Sequence, residues 1–313
     1  MSGPSRALGI LVALLIVGAT GFYAERNPER HALDDAARGG APGKFVRLSD
    51  GVTHYELGGP DSGHTIVLVH GFSVPYYIWD STAAALAAAG LHVLRYDEFG
   101  RGLSDRPNVE YTADVYDRQL GELLDSLHIA GPVDVAGVSM GGWVTATFTG
   151  RHPARVRSLI LVDPVADTGS RSLGAFDWPI VGPYLWQTIV APTMADNQAS
   201  DFLHPERFPD WADRYRPQTR LRGFGHALRS TRHVEATLHM DSVYRVVAQT
   251  RVPVLLLWGT SDKTVPFARN AIVRKALPEA EFHAIDGAAH LPILERAALT
   301  DSLFLSFLAR QAR

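Results

Sequence analysis

PVDVAGVSMGGWVTATFTGRH, residues 132–152, runs from an apolar strand through a glycine-bracketed turn into a helix. Val133 to Val138 is a short, valine-rich run, the pattern of a strand buried on both faces. Gly137-Val138-Ser139-Met140-Gly141 then matches G-x-S-x-G, with Gly142 beside it. Glycines at 137 and 141 let the backbone turn sharply and the helix approach the strand, which lifts the Ser139 hydroxyl out of the turn. Five residues of pattern in a chain with 28 glycines carry little by themselves. The strand before them and the helix after them give the weight. A serine hydroxyl also needs a base to take its proton and a third group to orient that base, so the rest of the chain must supply both.

Outward from this turn, strand-like runs alternate with helical stretches. The other runs are residues 45–48, 52–57, 65–70, 92–97, 158–163, 252–258 and 281–286. Such alternation predicts an α/β fold, a mostly parallel eight-stranded sheet flanked by helices. The first two runs read as a hairpin turning at Asp50-Gly51. Within 113–128, Tyr116, Leu120, Leu123, Leu124 and Leu127 share one helical face. From 166 to 250 the alternation breaks for too long to be a plain loop, which predicts an insertion with helices of its own. The expected division is 1–24 for an N-terminal segment, 25–42 for a linker, 43–165 and 251–313 for the two parts of one core, and 166–250 for the insertion.

His290 stands in a Gly-Ala-Ala turn after the last run, and Asp262 in GTSDKTVP (259–266) after the run before it. Both fall at the carboxyl ends of parallel strands, the edge where open α/β sheets collect their sites. Ser139 is the candidate nucleophile, His290 the base and Asp262 the orienting acid. Asp163, which ends the run 158–163, is the competing acid. Acyl transfer also needs donors for a developing oxyanion. The backbone N–H groups of Phe72, in His70-Gly71-Phe72, and of Met140 are the candidates. Asp97, in RYDEFGRGLSD (95–105), is expected to organise a turn.

In this order, His70-Gly71-Phe72, Asp97-x-x-Gly100-Arg101-Gly102-x-Ser104, the turn around Ser139, Asp262 and His290 resemble the α/β-hydrolase fold family, from Lys44 to the C-terminus. The resemblance implies an α/β-hydrolase fold with the insertion as a helical cap, and a Ser139–Asp262–His290 triad working without metal or organic cofactor. The sequence holds no HExxH, phosphate loop or dinucleotide fingerprint. Serine rather than aspartate at 139 separates the chain from haloalkane dehalogenases and epoxide hydrolases. The serine, the cap and the apolar N-terminus resemble membrane-anchored monoacylglycerol lipases and related carboxylesterases, implying a small acyl ester or lipid as substrate. Trp178 and Trp186, with Phe202 and Phe208, are the cap aromatics expected to line an apolar slot. The same triad also serves dienoate C–C bonds, amides, lactones and perhydrolysis. A non-catalytic binding protein on the same scaffold is the reading from another class.

At 46% hydrophobic and 20% charged residues the chain can bury a core, which excludes wholesale disorder. Thirty basic against 33 acidic residues give no field that would attract nucleic acid. Without cysteine there is no disulfide, thiol nucleophile or Cys-ligated metal. Ala7 to Ala24 is an uncharged run of 18 residues. As a helix it would reach about 27 Å, close to the thickness of a bilayer core. A single membrane anchor is expected there; the alternative is a signal cleaved after Ala19-Thr20-Gly21, giving a secreted or periplasmic protein. Arg214, Arg216, Arg220, Arg222, Arg229 and Arg232 fall in a stretch, 214–234, without an acidic residue. They are candidates for attracting anionic lipid or an acidic substrate.

Overall fold

Eight strands form one sheet in the computed structural model, which describes residues 4–166 and 172–311. They are β1 (Lys44–Leu48), β2 (Gly51–Gly58), β3 (Thr65–Val69), β4 (His92–Tyr96), β5 (Val133–Val138), β6 (Val156–Val162), β7 (Val254–Gly259) and β8 (Glu281–Ile285). Their spatial order is β1-β2-β4-β3-β5-β6-β7-β8. β2 is antiparallel to both neighbours, and every pair from β4 to β8 is parallel. In the opening hairpin Leu48 faces Gly51, so the turn is Ser49-Asp50, one residue earlier than expected. Gly51 belongs to β2, where a Cβ would stand 2.7 Å from that of Asp105.

The strands read as continuous apolar runs because helices cover both faces. Val67, Val69, Leu94, Val135, Leu159 and Leu256 enter one core. Ile66, Leu68, Val93, Ala136, Ile160 and Leu255 enter the other. Counting the longer helices in chain order, α1 is Pro4–Arg26, α2 Asp80–Ala88, α3 Ala113–Ser126, α4 Met140–Arg151, α5 Trp211–Thr219, α6 Phe224–Glu235, α7 Met240–Thr250 and α8 Ala297–Gln311. α3, α4 and α7 cover the first face through Leu120, Leu123, Trp143, Phe148, Tyr244 and Val247. α2 and α8 cover the second through Leu86, Phe304 and Phe307.

The cap holds the short helical turns of 181–201 together with α5 and α6. α7, expected as its last part, is instead a helix of the core. Its Val246 lies against Gly150 of α4, and the Tyr244 hydroxyl donates to the Val165 carbonyl at 2.6 Å. Residues 167–171 of the expected insertion lie outside the described residues.

The linker expected over 25–42 is docked along the cap. Arg30 and His31 donate their N–H groups to the Arg220 carbonyl, and Arg222 N–H returns to His31 at 2.8 Å. Glu29 accepts from Gly223 N–H, Gly225 N–H and Gln187 at 2.7, 2.6 and 2.7 Å. Gly223 is the cap residue of α6, so the carboxylate sits at that helix's amino terminus, where the dipole favours a negative charge. Beyond it, α1 is long and apolar enough to cross a membrane, and its apolar window is unburied.

Candidate active site

Ser139 joins β5 to α4 with φ +54° and ψ −118°, a conformation few side chains tolerate. Its surroundings impose it. Ser139 N–H donates to Val162 at the end of β6, and its carbonyl accepts from Gly142 and Val165. A Cβ on Gly137 would lie 2.1 Å from the Gly141 carbonyl, and one on Gly141 2.4 Å from the carbonyls of Val69 and His70. The glycines are therefore required by packing as well as by the turn.

The stretch that follows β3 carries Phe72. His70 is fully buried, with Nδ1 2.7 Å from the Gly71 carbonyl and Nε2 2.9 Å from Glu98 N–H. Burial pushes its pKa down to about 4 against the pull of Asp97 and the Gly71 carbonyl. The ring is thus neutral, and its partners assign the proton to Nδ1. The Gly71 carbonyl and the Phe72 N–H belong to one peptide unit, so holding the oxygen fixes the direction of the N–H. This peptide stands beside Ser139: a Cβ on Gly71 would be 3.3 Å from Ser139 Cβ.

Arg101 holds the next peptide. Its Nε donates to Phe72 O at 2.8 Å, Nη1 to Phe99 O at 3.1 Å, and Nη2 to Thr231 Oγ1 at 3.0 Å, with Met140 Sδ at 3.6 Å. One buried guanidinium therefore touches both residues proposed to supply oxyanion donors. Neither role, of His70 or of Arg101, is among the sequence expectations. The available signal was Gly100-Arg101-Gly102, a long cation between two glycines. Glu98 approaches His70 Nδ1 to 3.4 Å, but burial pushes its carboxyl well above the ordinary range. With the His70 ring neutral, this is no ion pair. Asp97 organises its turn: it accepts from Tyr76 and Leu103 N–H at 2.9 Å each and pairs with His54 Nδ1 at 2.7 Å.

His290 and Asp262 meet at the carboxyl ends of β8 and β7, with Nδ1 to Oδ2 at 2.8 Å. The other oxygen of Asp262 accepts Thr264 and Val265 N–H at 2.8 and 3.0 Å. Burial alone would lower the His290 pKa, but the hydrogen bond and charge of Asp262, helped by Asp201, outweigh it and raise the value. Asp163 makes a different contact, accepting Gly259 N–H at 2.9 Å. Burial first, and the Asp262 charge second, push its carboxyl well above the ordinary range. Donor atoms of Asp163, Asp262 and His290 lie within 4.8 Å of one another. The His290–Asp262 bond occupies Nδ1 and one carboxylate oxygen of this group.

In the cap, Phe202 stacks on Phe208 with centroids 4.4 Å apart and meets Trp211 edge-on at 5.3 Å. It follows Asp201, whose carbonyl accepts His290 N–H at 3.1 Å. Trp186 is buried in the same apolar cluster. Trp178, expected beside it, is 61% exposed. Among the six arginines, Arg214 pairs with Asp80 and covers the Tyr77 ring, Arg216 pairs with Asp196, and Arg232 pairs with Glu235. A cavity of about 680 Å³ lies between α5, Pro42 and the 75–80 turn; none of Ser139, Asp262 and His290 lines it. Gln218, bonded to Ser73 O and Gly102 N–H at 2.8 and 3.1 Å, ties α5 to the loop that carries Phe72 and to the loop that carries Arg101.

Fold and site together define an α/β-hydrolase. Residues 66–301 match the alpha/beta hydrolase family, and the chain belongs to it. Among its relatives, Lipase 1 of Psychrobacter immobilis is 23% identical over 261 residues, covering 81% of this chain and 79% of that protein. The dihydrolipoyllysine-residue acetyltransferase component of the acetoin cleaving system of Pseudomonas putida is 30% identical, covering 88% of this chain and 71% of that one. Among solved structures, the enol-lactonase of Burkholderia xenovorans superposes with a TM-score of 0.74 at 23% identity, covering 85% of this chain and all of that one.

Proposed function

We propose that this chain is a serine ester hydrolase that cleaves acyl esters of the monoacylglycerol type through an acyl-enzyme on Ser139. The observation that carries the reading is the 2.8 Å bond between His290 Nδ1 and Asp262, on the sheet edge that bears the strained Ser139. With Nδ1 occupied, Nε2 is the ring atom that takes the proton as Ser139 Oγ attacks the ester carbonyl. Negative charge moves to the carbonyl oxygen, where the N–H groups of Phe72 and Met140 receive it. The tetrahedral adduct collapses, the acyl–oxygen bond breaks, and the imidazolium returns its proton to the departing alcohol. Water then gives a proton to Nε2 and adds to the acyl carbon. Ser139 leaves with that proton, and a carboxylic acid is released.

The substrate class is supported by the apolar α1, by aromatic residues next to His290, and by relatives named as lipases. α1 acts as a retained anchor in this reading. A cut after Ala19-Thr20-Gly21 would remove the Ala19 carbonyl that accepts the Tyr184 hydroxyl. The test is a fluorophosphonate probe followed by an ester panel on the full chain. Wild type should label, Ser139→Ala should not, and monoacylglycerols should be turned over faster than enol-lactones. Failure of wild type to label would refute the serine chemistry; a preference for lactones would refute the substrate class alone.

A further inference from the structure

Trp178 to Ala195 (WPIVGPYLWQTIVAPTMA) contains no charged side chain. This is the part of the cap against which the last turns of α1 lie. Tyr23 stacks on Tyr184 with centroids 5.9 Å apart, the Tyr184 hydroxyl donates to Ala19 O at 3.0 Å, and Arg26 Nε donates to Thr188 O at 3.2 Å. Two charge-free stretches far apart in sequence therefore run side by side. Outward from the second project Trp178, Ile180, Val181 and Ile189, all exposed, with Ile180 at 85%. Scattered apolar residues on a surface need no explanation, but exposed apolar residues on a segment packed against an unburied apolar helix do.

The register along α1 gives that cluster a depth. From Ala7 to Ala24 the helix reaches about 27 Å, against a hydrocarbon core of about 30 Å, so it has no length to spare. With Ala24 at the boundary, Ala19 lies five residues further in, about 7 Å below it. Tyr184 is bonded to the carbonyl at that level. The cap segment must then sit among the head groups and first acyl carbons, a zone that suits Trp and Tyr rings and excludes unpaired charge.

We propose that the cap segment Trp178–Ile189 is a second lipid-contacting surface, immersed in the outer layer of the bilayer that α1 spans. The proposal rests on the anchored reading above. It assigns lipid contact to apolar side chains rather than to the arginines of 214–232, three of which are engaged with carboxylates. The cap would thus be held from two sides, by lipid at 178–189 and by Glu29 at the amino terminus of α6.

The absence of cysteine makes a site-directed probe test direct. Leu14→Cys, Ile180→Cys and Asp61→Cys are each labelled with an NBD fluorophore on the full chain and reconstituted into phosphatidylcholine vesicles. Leu14 lies within α1, and Asp61 in the loop before β3, at the opposite end of the sheet from the cap. Vesicles carrying a nitroxide high on the acyl chain should quench most of the fluorescence at 180, while the probe at 61 stays quenched by aqueous iodide. Quenching by lipid at 14 with iodide access at 180 equal to that at 61 would overturn the cap surface and leave the anchor. Loss of lipid quenching at both 14 and 180, or an intact mass lacking the first twenty or so residues, would overturn both.

Discussion

Replacing His70 by Leu isolates the peptide that presents Phe72 N–H. Leucine keeps an apolar body in the site but removes the Nδ1 proton that holds the Gly71 carbonyl and the Nε2 acceptor of Glu98 N–H. Losing one oxyanion donor outright costs about 100- to 1,000-fold in kcat. Arg101 still holds the following carbonyl, so the Gly71–Phe72 peptide is loosened rather than freed, and the expected fall in kcat is roughly 10- to 100-fold with little change in KM. Stability falls too, because a buried N–H is left without a partner, at about 1–3 kcal/mol. The pH dependence gives a second, separable magnitude. His70 is neutral in the fold down to about pH 4, whereas the unfolded chain protonates near 6.5. Its contribution is complete above 6.5 and lost as pH falls through the folded value, roughly 3 kcal/mol over that interval. The stability gap between wild type and His70→Leu should therefore be widest at pH 7 and narrow towards pH 4. Urea unfolding at the two pH values and steady-state kinetics on p-nitrophenyl butyrate at pH 7.5 read both effects, with affinity for a trifluoromethyl ketone as a check on the oxyanion site. A kcat within about threefold of wild type, beside the expected stability loss, would refute the claim that His70 orients the donor peptide.

Four further outcomes follow from the same geometry. Asp262→Asn should lower kcat by about 10⁴-fold and move the acid limb of the pH–rate profile down, since the Asp262 contact is what raises the His290 pKa in the fold. Asp163→Asn should stay near wild type in activity; burial and the Asp262 charge raise the native carboxyl's pKa, which costs stability as pH rises from the unfolded value towards the folded one, so melting curves should show the variant gaining on wild type as pH rises. Gly71→Ala places a Cβ 3.3 Å from Ser139 Cβ, a displacement of a few tenths of an ångström expected to cost about tenfold in kcat, whereas Gly141→Ala, 2.4 Å from two carbonyls, should give insoluble protein. Glu29→Gln removes the charge at the α6 amino terminus and should cost about 1 kcal/mol, read as faster proteolytic cleavage within the cap at unchanged core melting temperature.

What could be read from sequence follows the range of the forces involved. The eight strands are legible because burial on both faces makes each a short apolar run, and because the glycines around Ser139 answer to backbone contacts within a few residues or with the adjacent strand. Asp262 and His290 are legible from their places after β7 and β8. The hairpin turn lies one residue before the Asp50-Gly51 signal, and Gly51, placed in β2, packs against Asp105, far along the chain. α7 falls within the expected insertion because its apolar face resembles that of any surface helix; its partners, among them Gly150 of α4 and Val165, lie elsewhere in the chain.

Residues 25–42 show how two stretches without regular structure can dock. Pro28, Gly39, Gly40 and Pro42 mark 25–42 as chain without long regular structure; α1 runs on to Arg26, and Asp35–Arg38 forms one helical turn. Inability to form regular structure and freedom to move are different properties. A segment without its own hydrogen-bond ladder has unspent N–H and C=O groups, and a neighbour with the same deficit can take them. Arg220 to Gly225, at the break between α5 and α6, is such a neighbour, and Glu29 adds a charge that the α6 amino terminus attracts across 194 residues of sequence. Neither segment alone signals the other. Docking here arises because two irregular stretches complete each other, and it couples the end of α1 to the cap more tightly than their separation along the chain suggests.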